Sequence, residues 1–120
     1  MTTVEMLEKV LTDLGRTGDI EASAIVSRDG LLMASDIPKS VHADTFAAMS
    51  ATMLGAAETA ILELKKGIPD RVIVESRKGK VITIGAGPKA LLVVMTPPEA
   101  GLGLILVNME KAADKIKGLL

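Results

Sequence analysis

The sequence predicts an α+β fold: one five-stranded antiparallel sheet in the chain order α-β-β-α-β-β-β-α, with a long helix on one face and the two terminal helices on the other. Three observations predict it. Apolar residues recur at helical spacing near both ends of the chain. A Pro-free stretch rich in Ala, Met, Leu and Glu, all strong helix formers, occupies 43–66. Three turn signals, Asp29-Gly30, Arg77-Lys78-Gly79 and Gly87-Pro88-Lys89, each separate two apolar runs, and strands joined by such tight turns are antiparallel. With 120 residues the chain is expected to form one domain, 1–120, large enough for a core of its own.

Each element has its own justification. Thr2-Thr3-Val4-Glu5 reads as a capping box, with Thr2 at the N-cap and Glu5 reaching back. Val4, Leu7, Leu11 and Leu14 then form one apolar stripe, and Gly15 is the expected residue just past the end, so the first helix spans roughly 3–14. Residues 21–28 alternate, with Ala22, Ala24 and Val26 on one side. Asp29-Gly30 and a second run, 31–35, complete a hairpin. In the long helix, Phe46, Met53, Ala57, Ile61 and Leu64 cluster within about 80° at 100° per residue, and that stripe is expected to face the sheet. Residues 70–76, 80–86 and 90–96 read as three further strands. The last is an unbroken apolar run and is therefore expected at the centre of the sheet, covered on both faces. Ile105, Met109, Ala112, Ile116 and Leu119 repeat at helical spacing. A final helix over 102–118 follows, although 104–107 alone also fits a strand.

Composition excludes several function classes. The 14 basic and 15 acidic side chains nearly cancel, to a net charge of −1. Phe46 is the only aromatic residue. Nothing drives phosphate-backbone binding, and base-stacking platforms are missing, so no nucleic-acid partner is expected. With no cysteine, a disulfide scaffold, a zinc-thiolate site and a Cys nucleophile are ruled out, and a cytoplasmic location is expected. The first ten residues carry acids within an apolar run and do not read as a secretory signal. The most apolar stretch, 90–109, is broken in its middle by Thr96-Pro97-Pro98-Glu99. A membrane span needs about 20 continuous apolar residues, so no insertion is expected.

Little in the sequence points to catalysis. His42 is the only histidine, and Ser40 and Asp44 beside it sit at a helix entrance. It reads as a solvated residue and not as a general base. One histidine without cysteine does not furnish a metal site. Gly85-Ala86-Gly87-Pro88-Lys89-Ala90 matches the letters of a dinucleotide fingerprint, but a proline and a β-rich run follow where that motif needs a helix, so a tight turn is expected. Gly101-Leu102-Gly103 reads as a flexible entry to the last helix. No phosphate-binding loop motif is present, and no carboxylate pair stands out. No cofactor is expected. Arg77, Lys78 and Lys80 form a small basic turn that reads as solvated.

The long helix is unusual. Its apolar residues continue around most of its circumference: Met49, Ala56 and Ala60 on one flank, and Ala47, Ala48, Ala51, Leu54, Gly55 and Leu62 on the other. Such a helix is buried on more than one side, and in a chain this short the second cover is expected to be another chain. Met49 and Met53 supply the soft side chains that suit an adaptable contact.

The hairpin SAIVSRDGLLMASD, the helix FAAMSATMLGAAETAILEL, the segment RVIVESRKGKVITIGAGPKALLVVM and the ending GLGLILVNMEKAADKI together resemble a Roadblock domain of the roadblock/dynein-light-chain family, in its prokaryotic form. Order and spacing carry the resemblance over nearly the whole chain. It implies a profilin-like α-β-β-α-β-β-β fold with a C-terminal helix. It also implies a homodimer in which the long helices and third strands pair about a twofold axis. The residues expected at that interface are Met49, Ala51, Met53, Ala56, Ala60, Val72, Ile73 and Val74, with the choice of helix flank left open. The implied role is non-enzymatic: binding a small Ras-like GTPase and biasing its nucleotide state. None of Arg16, Arg28, Arg71 and Arg77 sits in a context that marks an arginine finger, so conformational bias is favoured over a supplied arginine. A small-molecule sensor or general interaction scaffold on the same fold is the alternative.

Overall fold

An unbroken apolar run is stable only between two covered faces, and the last strand obeys that rule. In the computed structural model, which describes residues 1–120, this strand is β5 (Ala90–Thr96). It lies at the centre of a five-stranded antiparallel sheet, between β1 (Ala22–Ser27) and β4 (Gly79–Gly85), with β2 (Leu32–Asp36) and β3 (Arg71–Ser76) at the edges. Its side chains alternate between two cores. Leu92 and Val94 join an 18-residue buried cluster beneath α1 (Thr3–Gly15) and α3 (Leu102–Leu119). Leu91 and Val93 join a cluster of only six beneath α2 (Ala43–Glu63). Full burial of an aliphatic side chain contributes about 1.5–3 kcal/mol, so the α1/α3 side carries most of the hydrophobic stabilisation.

The expected element order is the observed one, and the differences are local. The capping box forms: the Thr2 amide donates to Glu5 Oε1 and the Glu5 amide to Thr2 Oγ1, each at 3.1 Å. The bond from the Thr2 backbone, then that from its side chain, holds the Glu5 carboxyl below its ordinary pKa. The folded-state value is the depressed one, so this cap supports the helix above the carboxylate range and loses that support as pH falls through it. Val10 replaces Val4 on the buried stripe, and Val4 is half exposed in the first turn. Gly15 stays inside the helix; the chain turns left-handed later, at Gly18 and Asp19.

In the β1–β2 hairpin only Gly30 adopts a positive φ, +90°, and its lack of a side chain has a second use. A β-carbon there would stand 3.3 Å from Ala48 Cα on α2. Helix α2 ends one turn earlier than expected. The Lys66 amide reaches Ile61 O and the Lys65 amide reaches Leu62 O, with Lys65 itself left-handed at φ +56°. That is a Schellman closure with lysine where glycine is usual. The segment left ambiguous, 101–107, is helical from Leu102 onward.

Thr83 on β4 is fully buried between Val72 and Val93, and its hydroxyl is without a hydrogen-bond partner. Replacing it by the near-isosteric valine removes a desolvated donor and acceptor. Thr83→Val is expected to raise unfolding stability by about 1 kcal/mol, read as a higher urea midpoint at unchanged m-value.

Candidate functional site: the outer face of α2 and the β3 edge

Of its 21 residues α2 buries only Ala47, Ser50 and Leu54. These define the line that faces the sheet. It lies roughly 60° around the helix from the stripe the sequence indicated, at 100° per residue. Phe46, Met53, Ala57 and Ile61 are only half-buried, and Leu64 is 65% exposed. The physical reason is the close approach at Gly30. Small side chains at Ala47, Ser50 and Ala51 let the helix settle onto the β1–β2 hairpin, and the bulkier residues are turned aside. Ala48 and Ala51 rest against Gly30. The opposite flank, with Met53, Ala57, Ala60 and Ile61, is thereby turned away from the hairpin.

The expected interface residues divide accordingly. Met49, Ala56 and Ala60 are exposed on the outward side of α2, with Met53 half-buried beside them. Ala51, also half-buried, lies on the flank beside Gly30. It packs against the inner cluster with Phe46, Val72 and Val81. On the edge strand, Val72 and Ile73 are half-buried on opposite faces of the sheet, Val72 toward the α2-side cluster and Ile73 toward the α1/α3-side cluster. Val74 is 43% exposed. An edge strand of this composition, without a bulge or an inward charge, is open to pairing.

A further apolar group stands at and just beyond the end of α2: Leu62, Leu64 and Ile68, each at least 60% exposed, of which sequence reasoning set Leu64 on the core stripe and did not single out Ile68. Nothing in their spacing separates them from core residues. By length and composition α2 is also the one helix able to cross a membrane, with 17% of that stretch buried.

Polar groups near this face organise the structure. Arg28 Nη2 donates to Gly87 O at 2.8 Å, and its Nη1 lies 4.0 Å from Glu58 Oε1, so one side chain links the hairpin, the β4–β5 turn and α2. Arg71 Nη2 meets Glu110 Oε1 of α3 at 3.1 Å. His42 is the exposed N-cap of α2 and its side chain makes no capping bond. The Gly85–Ala90 segment is a turn between β4 and β5, with Gly87 at φ +85°. No three His, Cys, Asp or Glu side chains converge as metal ligands. The arrangement offers a surface for protein contact and no assembled acid–base or nucleophile pair.

Two substitutions separate the inner from the outer face of α2. Ala51→Glu places a carboxylate against the sheet and is expected to cost about 1–3 kcal/mol of unfolding stability. Ala56→Glu faces outward and is expected to stay within about 0.5 kcal/mol, both read by denaturant unfolding at high dilution.

The same geometry recurs in known proteins. The uncharacterized protein MJ0310 of Methanocaldococcus jannaschii is 40% identical over 114 residues, which cover 95% of this chain and 99% of that protein. A structure described as MglB with tetrameric arrangement superposes with a TM-score of 0.91 over 99% of this chain and 90% of its own, at 21% identity. The gliding protein MglB from Thermus thermophilus superposes at 0.90 over 99% and 91%, at 20% identity. At that identity the two structures establish a shared fold. The Roadblock/LC7 domain model matches residues 6–96, from the first turn of α1 to the end of β5, and so takes in the whole sheet and α2. By that match, which spans more than half of its length, the chain belongs to the Roadblock/LC7 domain family.

Proposed function

We propose that this chain acts without catalysis, as a homodimer that binds a small Ras-like GTPase and biases its nucleotide state. The observation that carries the self-association is the imbalance between the two faces of the sheet. One side has two helices and an 18-residue core; the other has a single helix that buries three residues and turns Met49, Met53, Ala56 and Ala60 outward. A second copy placed along β3 covers this helix face and the half-exposed Val72, Ile73 and Val74 together. The tetrameric arrangement described for one MglB structure supports self-association as a property of this fold. Membership of the Roadblock/LC7 family supports the GTPase as partner. A sensor role draws less support, because the surface depressions are open clefts and not enclosed cavities: the one beside Arg28 and Lys117 is about 430 Å³, and the one between Met6 and Leu119 about 480 Å³.

A regulator must bind the two switch states unequally; equal affinity shifts nothing. Small Ras-like GTPases of the same organism, loaded with a GTP analogue or with GDP, are expected to differ by about tenfold or more in affinity for the dimer, measured by calorimetry. Equal binding reduces the role to a scaffold, and no binding removes the GTPase. Ala56→Glu is expected to weaken self-association in sedimentation equilibrium, because it buries an unpaired carboxylate in the pair. His42→Ala is expected to leave any partner-stimulated GTP hydrolysis within about twofold, whereas loss of a general base costs roughly 10²–10⁴.

A further inference from the structure

If two copies associate along β3, as proposed above, symmetry and charge restrict how the strands align. Identical strands that pair antiparallel are related by a twofold axis perpendicular to the sheet, so both α2 helices lie on one side of it. Side chains directly opposite each other point to the same face, so each residue meets one an even number of positions away. On β3, Val72 belongs to the α2 face and so, two residues on, does Val74. Arg71, Ile73 and Glu75 belong to the other: Ile73 packs on the α1/α3 cluster and Arg71 reaches Glu110 of α3.

Three alignments keep most of the strand paired. Centring on Val72 sets Asp70 against the partner's Val74. Centring on Val74 sets Arg71 against the partner's Arg77 and Ile73 against the partner's Glu75. Centring on Ile73 sets Val72 against the partner's Val74 and Arg71 against the partner's Glu75. Only the last matches apolar with apolar and opposite charges with each other, twice over by symmetry.

We propose that β3 pairs with β3 of a second copy about Ile73, with Arg71 held between Glu110 of its own α3 and the partner's Glu75. Within one chain Glu75 stands opposite Lys80 in the β3–β4 register but forms no ion pair, and the Lys80 ammonium donates instead to Ala100 O at 3.0 Å. Glu75 is exposed and free to turn across the axis. The row on the α1/α3 side then alternates in sign: Lys80, Glu75, the partner's Arg71, the partner's Glu110. Arg71 and Glu75 thus act as the register-setting and self-recognition residues of the edge, since like charges in the neighbouring alignment oppose slippage.

Charge exchange tests this. Glu75→Arg and Arg71→Glu are made separately in the full chain, and association is followed by sedimentation equilibrium. Each variant alone is expected to associate about tenfold more weakly than the parent, from two pairs turned repulsive. An equimolar mixture is expected to recover the parental affinity, because each variant then meets the opposite sign on the other. Register is read independently in a chain that has no native cysteine. Under mild oxidation Ile73→Cys is expected to give a covalent dimer. Val74→Cys is not, because residue 74 and its copy are then diagonal, at about 7–8 Å, too far for a disulfide without backbone movement. A mixture that fails to recover, or cross-linking at 74 instead of 73, overturns the alignment while leaving self-association standing. A parent chain that stays monomeric removes the self-association reading itself.

Discussion

The whole structure depends on one strand being dry on both sides. β5 carries apolar side chains alternately up and down, and each set needs a lid. Two helices supply one lid in full. The other is α2, whose small inner residues let it lie close to the β1–β2 hairpin but leave it little to bury. The sheet is therefore well sealed on one face and thinly sealed on the other. The open β3 edge and the apolar outer side of α2 lie on the thin side of the molecule. Shortage of cover, and not any reactive group, is what singles out this region.

Much of this was legible in the sequence because the signals are local. The Thr2/Glu5 cap, the turns at Asp29-Gly30 and Arg77-Lys78, and the unbroken apolar run at 90–96 each rest on neighbours within a few positions. They give the elements, their order and the central place of β5. The excess of apolar residues on 43–66 also raised the expectation of a second cover for the helix. What could not be read is the rotation of that helix about its axis. A helix apolar on most sides has no unique inward stripe, and side-chain size favoured Phe46, Met53 and Ile61. The actual choice was made by a contact distant in sequence, Gly30 against Ala48, which admits small residues and turns large ones out. The same contact puts Ala51 on the half-buried flank beside Gly30.

The ion pairs were invisible for the same reason. Arg28 with Glu58 and Arg71 with Glu110 are brought together by the tertiary fold across 30 and more positions. Exposed pairs of this kind contribute little to stability, about 0–1 kcal/mol. Their interest lies in direction: each holds a long side chain at a defined place beside an edge or a turn.

The uneven anchoring of α2 has a consequence for motion. Ala47, Ser50 and Leu54 all lie in the first twelve residues of the helix, and residues 55–63 bury none. The leading half is clamped to the hairpin. The trailing half is held by its own backbone bonds, the closure at Ile61–Lys66 and the long Arg28–Glu58 contact. Local opening free energy therefore falls along the helix, and backbone amides toward Glu63 exchange with solvent ahead of those near Ala47. By the same gradient, ordering residues 55–63 against any cover costs more conformational entropy than ordering residues 43–54, which the hairpin already holds.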